Sequence, residues 1–379
     1  MSKAPDVIIV GGGIIGCLSA YFLGKHGLTS LVIERDAIAS QASGAAAGLL
    51  TPLAESSAPG ALTDLCMESL RLHRELVGPL TEESGVDYLF ADTPILRPAF
   101  TEDEENDLRR QYRWQQKSGM SVSWLDGDTL RRMNTWLPPD IRGALYSDVE
   151  AQVEAYRLVI AAAQAAEKRG ATIRQGEASG LVRLPLAGSR ATGVRLADGS
   201  QVEGGAVLLA MGPWSCFAGE WLGFPIPVEP LRGQTIKLAP PRPMPEYAIY
   251  HGSSYVLPKK AGYLLVGTTE ERAGFVRQVT PEGQAQIMRT VLRVAPVLQE
   301  ARVIESSACL RPLSLDELPI LGAVPGWDEL YMATGHGRKG ILLSVATARY
   351  MAQLIATGHS DYDLSPFSVE RLVEPRRRS

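Results

Sequence analysis

The sequence of 379 residues contains few cysteines and no CxxC pair. The four cysteines stand far apart, which argues against the spacing of a structural zinc site and against a disulfide framework. We therefore predict no metal site and four buried, reduced thiols, at Cys17, Cys66, Cys216 and Cys309.

The sequence also lacks a basic block, apart from the terminal EPRRRS. Because the net charge is −4, we expect neither a nucleic-acid surface nor a polybasic membrane anchor. No secretory signal is expected, since Val7–Val10 already has the pattern of a folded strand. The most apolar late segment contains Arg349 and Gln353, which favours a packed helix over a membrane span. We expect a soluble cytoplasmic protein, and the sequence leaves homo-oligomerisation open.

Apolar residues are abundant, at 45% of the chain, which is enough for two hydrophobic cores. A nucleotide-binding pattern of buried strands and glycine turns is interrupted twice along the chain and resumes each time. The second interruption consists of strands in which apolar and polar residues alternate. The predicted fold class is therefore α/β: a Rossmann-like domain interleaved with an α+β substrate domain built on a mostly antiparallel sheet. The predicted boundaries are 1–80, 146–224 and 311–366 for the nucleotide domain, 81–145 and 225–310 for the substrate domain, and 367–379 for a tail.

The first nucleotide-binding pattern is DVIIVGGGIIGCLSAYFLGKHG. A buried strand leads through Gly11, Gly13 and Gly16 into an apolar helix, which is the order of a dinucleotide-binding turn. The helix N-terminus would face a pyrophosphate. Glu34 ends the next strand, eighteen positions beyond Gly16, where a carboxylate can accept hydrogen bonds from the adenosine ribose. The pattern indicates an adenine dinucleotide without a 2'-phosphate.

Residues 40–54, SQASGAAAGLLTPLA, carry hardly any side-chain bulk. Such a segment suits close packing against a large flat ligand, although a flexible loop has the same composition.

The chain resembles the D-amino-acid-oxidase (DAO) family of FAD enzymes, and most closely its glycine oxidase branch. The resemblance rests on ordered motifs over nearly the whole length: VGGGIIGC, LVIE, SGAAAGLL, AMGPWS, VEPLRGQ, YVLPKKAGYLLVGTT, CLRPLSLDELPILG and GHGRKGILLSVATA. It implies FAD bound along four segments, namely Gly11, Gly13, Ile15, Gly16, Glu34 and Arg35 with Ser43; Ala46, Ala47, Gly48 and Leu49; Met211, Gly212 and Trp214; and Gly335, His336, Gly337, Arg338, Lys339, Gly340 and Ile341.

The same resemblance implies three substrate-site residues. Arg311, in LRP, would clamp the substrate carboxylate with two parallel donors, and Tyr255 would assist it. Arg338 would lie near the carboxylate and the flavin. A surface ion pair for Arg311, an ordinary sheet aromatic for Tyr255 and a salt bridge for Arg338 remain alternatives. His336 is not predicted to be a catalytic base, because it lies in a glycine-rich turn whose backbone, and not its imidazole, is expected to serve the site.

The implied reaction is oxidative deamination of a small amino acid. Hydride would pass from the α-carbon to flavin N5, giving an imine and then a 2-oxo acid, and O2 would reoxidise the flavin with release of H2O2. Another acceptor would make the protein a dehydrogenase. Sarcosine or another N-alkyl amino acid, proline and D-amino acids are alternative substrates, and a non-catalytic flavin-binding redox sensor is the alternative of another class.

Two residues depart from the glycine oxidase pattern. Glu270 stands where an apolar residue lines the pocket, and we expect a shifted loop with a solvated carboxylate rather than a pocket-facing one. Cys309 stands where sarcosine oxidases attach the flavin covalently. Non-covalent FAD is the preferred interpretation, and a bond to Cys309 is the alternative.

Overall fold

The computed structural model describes residues 4–56, 58–133, 136–184 and 189–373. The chain begins as the sequence predicts, with a strand, β1 (Val7–Val10), whose four residues are all buried. Gly11 turns the backbone into helix α1 (Ile14–Lys25), and Gly27, with φ +76°, follows the end of that helix. Strand β2 (Ser30–Glu34) then pairs in parallel with β1.

A six-stranded sheet forms the centre of the first layer. The order of its strands is β19 (Ile320–Ala323), β20 (Leu330–Thr334), β13 (Ala206–Leu209), β1, β2 and β9 (Thr172–Gln175). Neighbouring strands are parallel apart from one antiparallel pair at an edge, between β19 and β20.

Apolar residues on alternate positions of β1 join two different cores. Val7 and Ile9 pack with buried residues of four helices, α1, α3 (Ala61–Ser84), α6 (Ala155–Lys168) and α9 (Gly340–Thr357). Ile8 and Val10 pack with an antiparallel three-stranded sheet made of β10 (Ala178–Arg183), β11 (Ala191–Leu196) and β12 (Gln201–Glu203). Both faces of the central sheet are therefore covered, as parallel sheets require.

Helix α9 and the turn before it are long and apolar enough to cross a membrane by length and composition. However, 61% of its most apolar stretch is buried inside the fold, against α1 and α3. Core helices of soluble proteins have this property.

An eight-stranded sheet forms the second layer. The order of its strands is β18 (Arg302–Ser314), β14 (Val228–Ala239), β17 (Leu264–Gly267), β16 (Ser254–Pro258), β15 (Ala248–His251), β5 (Ile95–Ala99), β7 (Gly143–Ser147) and β6 (Val122–Asp126). Neighbouring strands are antiparallel except for β15 and β5, which are parallel. Helices α4 (Glu102–Lys117), α5 (Gly127–Arg132) and α8 (Pro281–Val294) pack against this sheet.

Short elements connect the two layers. A small antiparallel sheet joins β3 (Leu49–Leu50), β8 (Ala151–Gln152) and β4 (Ala91–Asp92), and the short helices are α2 (Ala42–Ala45) and α7 (Ala218–Leu222). The predicted fold class, a Rossmann-like α/β part interleaved with a mostly antiparallel sheet, is confirmed. The domain boundaries stay a prediction, and β18 crosses the one proposed at residue 311.

The four cysteines are free. Cys17, Cys66 and Cys309 are buried, but Cys216 is only partly buried, so the expectation of four buried thiols is wrong for Cys216.

Candidate active site

A continuous cavity of about 560 Å³ is lined by residues of both layers. One end lies at the turn between β1 and α1, and the other reaches the face of the eight-stranded sheet that carries Tyr255 and Arg311. The cavity therefore connects the predicted dinucleotide site with the predicted substrate site.

The glycines of the first turn hold bare backbone against its neighbours. Gly11 has φ +112°, and a Cβ there would lie 2.3 Å from the carbonyl oxygen of Ala210. A Cβ on Gly16 would lie 1.9 Å from the carbonyl oxygen of Gly11. Gly11 and Gly13 line the cavity, whereas Gly16 instead lets the helix pack on the turn.

Glu34 lies at the end of β2 and lines the cavity, as predicted. Its carboxylate accepts hydrogen bonds from the backbone N–H of Gly12 (2.7 Å) and of Asp36 (2.8 Å), which hold it beside the glycine turn. The Ser43 hydroxyl accepts a hydrogen bond from the Ile14 N–H at the start of α1 (3.0 Å).

The small-residue segment before β3 is held tightly in place. A Cβ on Gly48 would lie 2.0 Å from the carbonyl oxygen of Val153. Lys259, which is 2% exposed, donates hydrogen bonds from Nζ to the carbonyl oxygens of Ala47 (2.9 Å) and Val153 (2.8 Å). Burial lowers the pKa of Lys259 to about 8, although the nearby Glu154 carboxylate opposes that shift. Residues 46–49 thus form a fixed wall of the cavity and not a flexible loop.

The late glycine turn forms the wall next to α9. His336 is buried, and its Nε2 lies 3.1 Å from the Thr347 hydroxyl. Burial lowers its pKa to about 4, so the imidazole is neutral at physiological pH and has a structural partner. Gly335 has φ +73° and packs against Ser314 and Ile320 behind the cavity wall.

The substrate end is one face of the eight-stranded sheet. Residues opposite one another in the register share a face, and Tyr250, Tyr255, Gly267 and Thr235 form such a row across β15, β16, β17 and β14. Cys309 and Arg311, two residues apart on β18, both line the cavity.

Two glycines make room for the polar groups on this face. A Cβ on Gly233 would lie 2.1 Å from Arg311 Nη2, and a Cβ on Gly267 would lie 2.8 Å from the Tyr255 hydroxyl oxygen. Any larger residue at either position would push the guanidinium or the phenol aside.

Arg311 is held by neutral partners. Its Nη1 donates a hydrogen bond to the Thr269 carbonyl oxygen (3.1 Å) and its Nη2 donates one to the Thr268 hydroxyl (2.6 Å). No carboxylate pairs with it anywhere in the described part of the chain. Its positive charge is therefore available to an anion in the cavity, and the alternative of a surface ion pair does not apply.

Arg338 has the opposite environment. Its Nη2 donates hydrogen bonds to Glu55 Oε1 (3.2 Å) and the Ser253 carbonyl oxygen (3.3 Å) and contacts the Tyr250 hydroxyl, while its Nη1 donates to Glu270 Oε1. Burial alone would lower the pKa of Arg338, but Glu55, Tyr250 and Glu270 raise it. The salt-bridge alternative thus describes this side chain, although it also lines the cavity.

Glu270 is exposed and does not line the cavity, as expected, but it also has a partner that the sequence did not indicate. Its side chain is 38% exposed, but its carboxylate is bound to Arg338. It reaches the cavity only through that guanidinium, because Glu270 itself does not line the cavity.

Glu55, which no sequence motif indicated, is the carboxylate that lines the substrate end of the cavity. Its Oε1 accepts a hydrogen bond from the Tyr250 hydroxyl, and its Oε2 lies 3.5 Å from Lys339 Nζ. Burial alone would raise the pKa of Glu55, but the charges of Arg338 and Lys339 and the Tyr250 hydrogen bond hold it below its usual value. Only its position after the small-residue segment hinted at such a role.

The cavity brings together nearly all the predicted site residues. Gly16 and Gly335 do not line it, and those that do are Gly11, Gly13, Ile15, Glu34, Arg35, Ser43, Ala46, Ala47, Gly48, Leu49, Met211, Gly212, Trp214, Tyr255, Arg311, His336, Gly337, Arg338, Lys339, Gly340 and Ile341. The glycine turn with no space for a Cβ, the Glu34 carboxylate at the end of β2 and the fixed wall of small residues lie along one cavity. This arrangement fits an extended FAD. Within the described residues, no group of three or more His, Cys, Asp or Glu side chains could hold a metal ion.

Known proteins match the chain along its whole length. The model of the DAO family, described as FAD dependent oxidoreductase, matches residues 6–354. The chain is 31% identical over 375 residues to the glycine oxidase of Geobacillus kaustophilus (strain HTA426), with 98% of each protein covered. The crystal structure of glycine oxidase from Geobacillus kaustophilus superimposes with a TM-score of 0.93 at 30% identity, covering 100% of both chains. The crystal structure of iminodiacetate oxidase from Chelativorans sp. BNC1 gives a TM-score of 0.85 at 26% identity, covering 96% of this chain and 98% of that one.

These similarities confirm the predicted family, the predicted cofactor, FAD, and the enzyme class. The chain therefore belongs to the DAO family of FAD-dependent oxidoreductases.

Proposed function

We propose that this FAD-dependent oxidoreductase deaminates a small amino acid oxidatively, in the manner of a glycine oxidase. With glycine, the overall reaction would consume O2 and water and release glyoxylate, ammonia and H2O2. The proposal extends to O2 as the acceptor and to a soluble enzyme of the cytoplasm.

The observation that carries the proposal is the unpaired charge of Arg311 on the cavity wall. Its guanidinium presents parallel donors to a carboxylate, and the Thr268 and Thr269 contacts fix its orientation. Tyr255 lies on the same wall and is buried. Burial raises the pKa of its phenol, so the hydroxyl keeps its proton and can donate a hydrogen bond to a substrate oxygen.

Orientation is the contribution of these two residues. A substrate held at its carboxylate cannot rotate freely, and its α-carbon hydrogen can then be kept in a near-attack position. FAD, when bound, supplies the two-electron oxidation and its own reoxidation by O2. No side-chain base is assigned, because Glu55 is occupied by Arg338, Tyr250 and Lys339 and His336 is neutral and bonded to Thr347.

We further propose which segments hold the cofactor. The turn at Gly11 and Gly13, with Glu34, would hold the adenosine and pyrophosphate part. Residues 46–49 would border the ring system, and Met211, Gly212 and Trp214 would contact the cofactor at a second crossing. The N-terminus of α9, which begins at Gly340, would favour negative charge on the pyrimidine side of the ring.

Amino-acid oxidation tests the proposal directly. The holoenzyme is mixed without oxygen with glycine, sarcosine, proline and D-amino acids, and peroxide is measured in air. We expect glycine or sarcosine to bleach the flavin; bleaching by none of these compounds would contradict the proposal and favour a non-catalytic redox sensor.

Arg311→Ala should keep its flavin but lose amino-acid turnover. We expect kcat/KM to fall roughly 10- to 150-fold, because a charge-assisted pair worth roughly 1.5–3 kcal/mol is lost. Arg302→Ala, at the exposed far end of the same strand, is the matched control. Unchanged kinetics in Arg311→Ala would remove Arg311 from the site.

A further inference from the structure

The charged residues at the substrate end are unequal in number. Three cations, Arg311, Arg338 and Lys339, line the cavity there, against two carboxylates, Glu55 on the wall and Glu270 behind Arg338. One positive charge remains, and it resides on Arg311, which has no carboxylate partner among the described residues.

The two carboxylates bind different nitrogens of the Arg338 guanidinium. Glu270 binds Nη1, while Glu55, Tyr250 and the Ser253 carbonyl occupy Nη2. The side chains of Glu55 and Arg338 are 15% and 21% exposed, so solvent screens this pair only partly. A second anion could use Arg338 only after displacing one of these carboxylates.

Arg311 and Arg338 line the same end of the cavity and contact the sheet on either side of Tyr255. Arg338 contacts the hydroxyl of Tyr250, which lies opposite Tyr255 in the register. Arg311 donates a hydrogen bond to Thr268, the residue after Gly267, which lies opposite Tyr255 on the other strand. A compound with two carboxylates would therefore reach the surroundings of Arg338, where it would meet the negative charges of Glu55 and Glu270.

We propose that Glu270, by neutralising Arg338, restricts this enzyme to amines that carry a single carboxylate and makes it reject amino dicarboxylates. This inference rests on the proposed amino-acid oxidation and specifies its substrate class. Glu270 acts here as a specificity residue through Arg338, without contact to the substrate. Its removal leaves a second positive charge in the pocket, matching a second carboxylate.

The test uses two substrates of similar size that differ in charge, N-ethylglycine and iminodiacetate. We expect wild-type kcat/KM to be at least roughly tenfold higher for N-ethylglycine, because the second carboxylate of iminodiacetate would meet the negative charges of Glu55 and Glu270. Glu270→Gln should shift this ratio toward iminodiacetate by roughly tenfold or more. Glu229→Gln, which removes the carboxylate that pairs with Arg272 (3.0 Å) nearby but outside the cavity, should leave the ratio as in the wild type.

A binding measurement provides a readout without turnover. Methoxyacetate and oxydiacetate, which cannot be oxidised as amines, are titrated while the flavin spectrum is followed. We expect Glu270→Gln to tighten binding of oxydiacetate relative to methoxyacetate by a similar factor.

The outcomes separate the two proposals. If the wild type oxidises both substrates with comparable kcat/KM, or if Glu270→Gln leaves both ratios unchanged, the specificity inference is overturned while the amino-acid oxidation stands. If the wild type oxidises no amine, the proposed function fails and this inference fails with it.

Discussion

At the scale of single residues, the position of the Arg311 guanidinium depends on the absence of a side chain at Gly233. Gly233 lies across from Cys309 in the β14–β18 register, and the guanidinium of Arg311 folds over the space that a Cβ would fill. Because the guanidinium is also fixed by Thr268, it cannot move away without losing hydrogen bonds.

Gly233→Ala should therefore displace Arg311 without affecting the dinucleotide end of the cavity. We expect KM for the amino acid to rise about tenfold or more, with FAD still bound, because a bidentate contact tolerates little displacement. Steady-state kinetics together with the flavin content measure both effects. Gly78→Ala, at an exposed helical position with nothing within 4 Å of the new Cβ, is the control. Wild-type KM in Gly233→Ala would show that Arg311 does not need this space.

Cys309 is the residue to which a covalent flavin would be attached. The thiol is buried on the cavity wall, and burial raises its pKa, which disfavours the reactive thiolate. We expect non-covalent FAD, so acid precipitation should give a white pellet with all the flavin in the supernatant. A yellow pellet with the mass of one added FAD, lost in Cys309→Ser, would establish the covalent alternative.

At the scale of elements, the segment after β17 crosses from the substrate sheet to the dinucleotide end. Phe275 stacks on Phe217 (5.3 Å between centroids) and lies 5.7 Å from the Trp214 ring, which also carries the Arg35 guanidinium (4.4 Å). Arg277 Nη1 donates hydrogen bonds to the Ser40 carbonyl oxygen (3.0 Å) and to Gln41 Oε1 (2.5 Å). The segment thus covers the cavity where we place the adenosine part of FAD.

Arg277→Ala should weaken this cover. We expect the holoenzyme to release FAD roughly two- to tenfold faster, as exposed hydrogen bonds are worth roughly 0.5–1.5 kcal/mol each. The release rate is followed by the rise in free-flavin fluorescence after dilution. Arg272→Ala, whose side chain is 74% exposed and pairs only with Glu229 in the described structure, is the control. Equal release rates in the two variants would show that the segment does not retain the cofactor.

Elements made of neighbouring residues were predictable, while contacts between distant segments were not. The strand, turn and helix around Gly11 follow from local pattern, and the turn between β16 and β17 follows from Gly262. In contrast, Arg338 meets residues 55, 250 and 270, which are 68 or more positions away along the chain. No spacing rule connects such residues, so the sequence alone could neither pair Glu270 nor find Glu55.

At the scale of the whole molecule, stability depends on a carboxyl group that the folded chain buries. Glu150 is 0% exposed; its Oε1 accepts a hydrogen bond from the Ala54 N–H (3.1 Å), and its Oε2 has no hydrogen-bond partner in the described part of the chain. Burial raises its pKa from 4.5 to about 8, although the Ala54 hydrogen bond and the Arg97 charge oppose the shift.

This pKa predicts the sign of a pH dependence. Between pH 4.5 and about 8 the unfolded chain has lost the Glu150 proton while the folded chain keeps it, so this contribution to stability falls as the pH rises. Glu150→Gln, which cannot ionise, should unfold at a temperature close to that of the wild type near the acid end of this window. Toward pH 8 the Glu150→Gln variant should become progressively more stable than the wild type. Thermal unfolding over this range measures the difference, with the exposed Glu203→Gln as the control. A constant difference across the range would contradict the buried, protonated state.

The central claim is that this family member removes a hydrogen from the α-carbon of a small amino acid. Rapid anaerobic mixing of the holoenzyme with glycine and with glycine deuterated at the α-carbon tests it most directly. We predict that glycine bleaches the flavin, that deuterium slows the bleaching severalfold, and that one glyoxylate and one ammonia form per flavin reduced. A flavin that stays oxidised with glycine and every other amino acid offered, or bleaching that deuterium does not slow, would contradict the account.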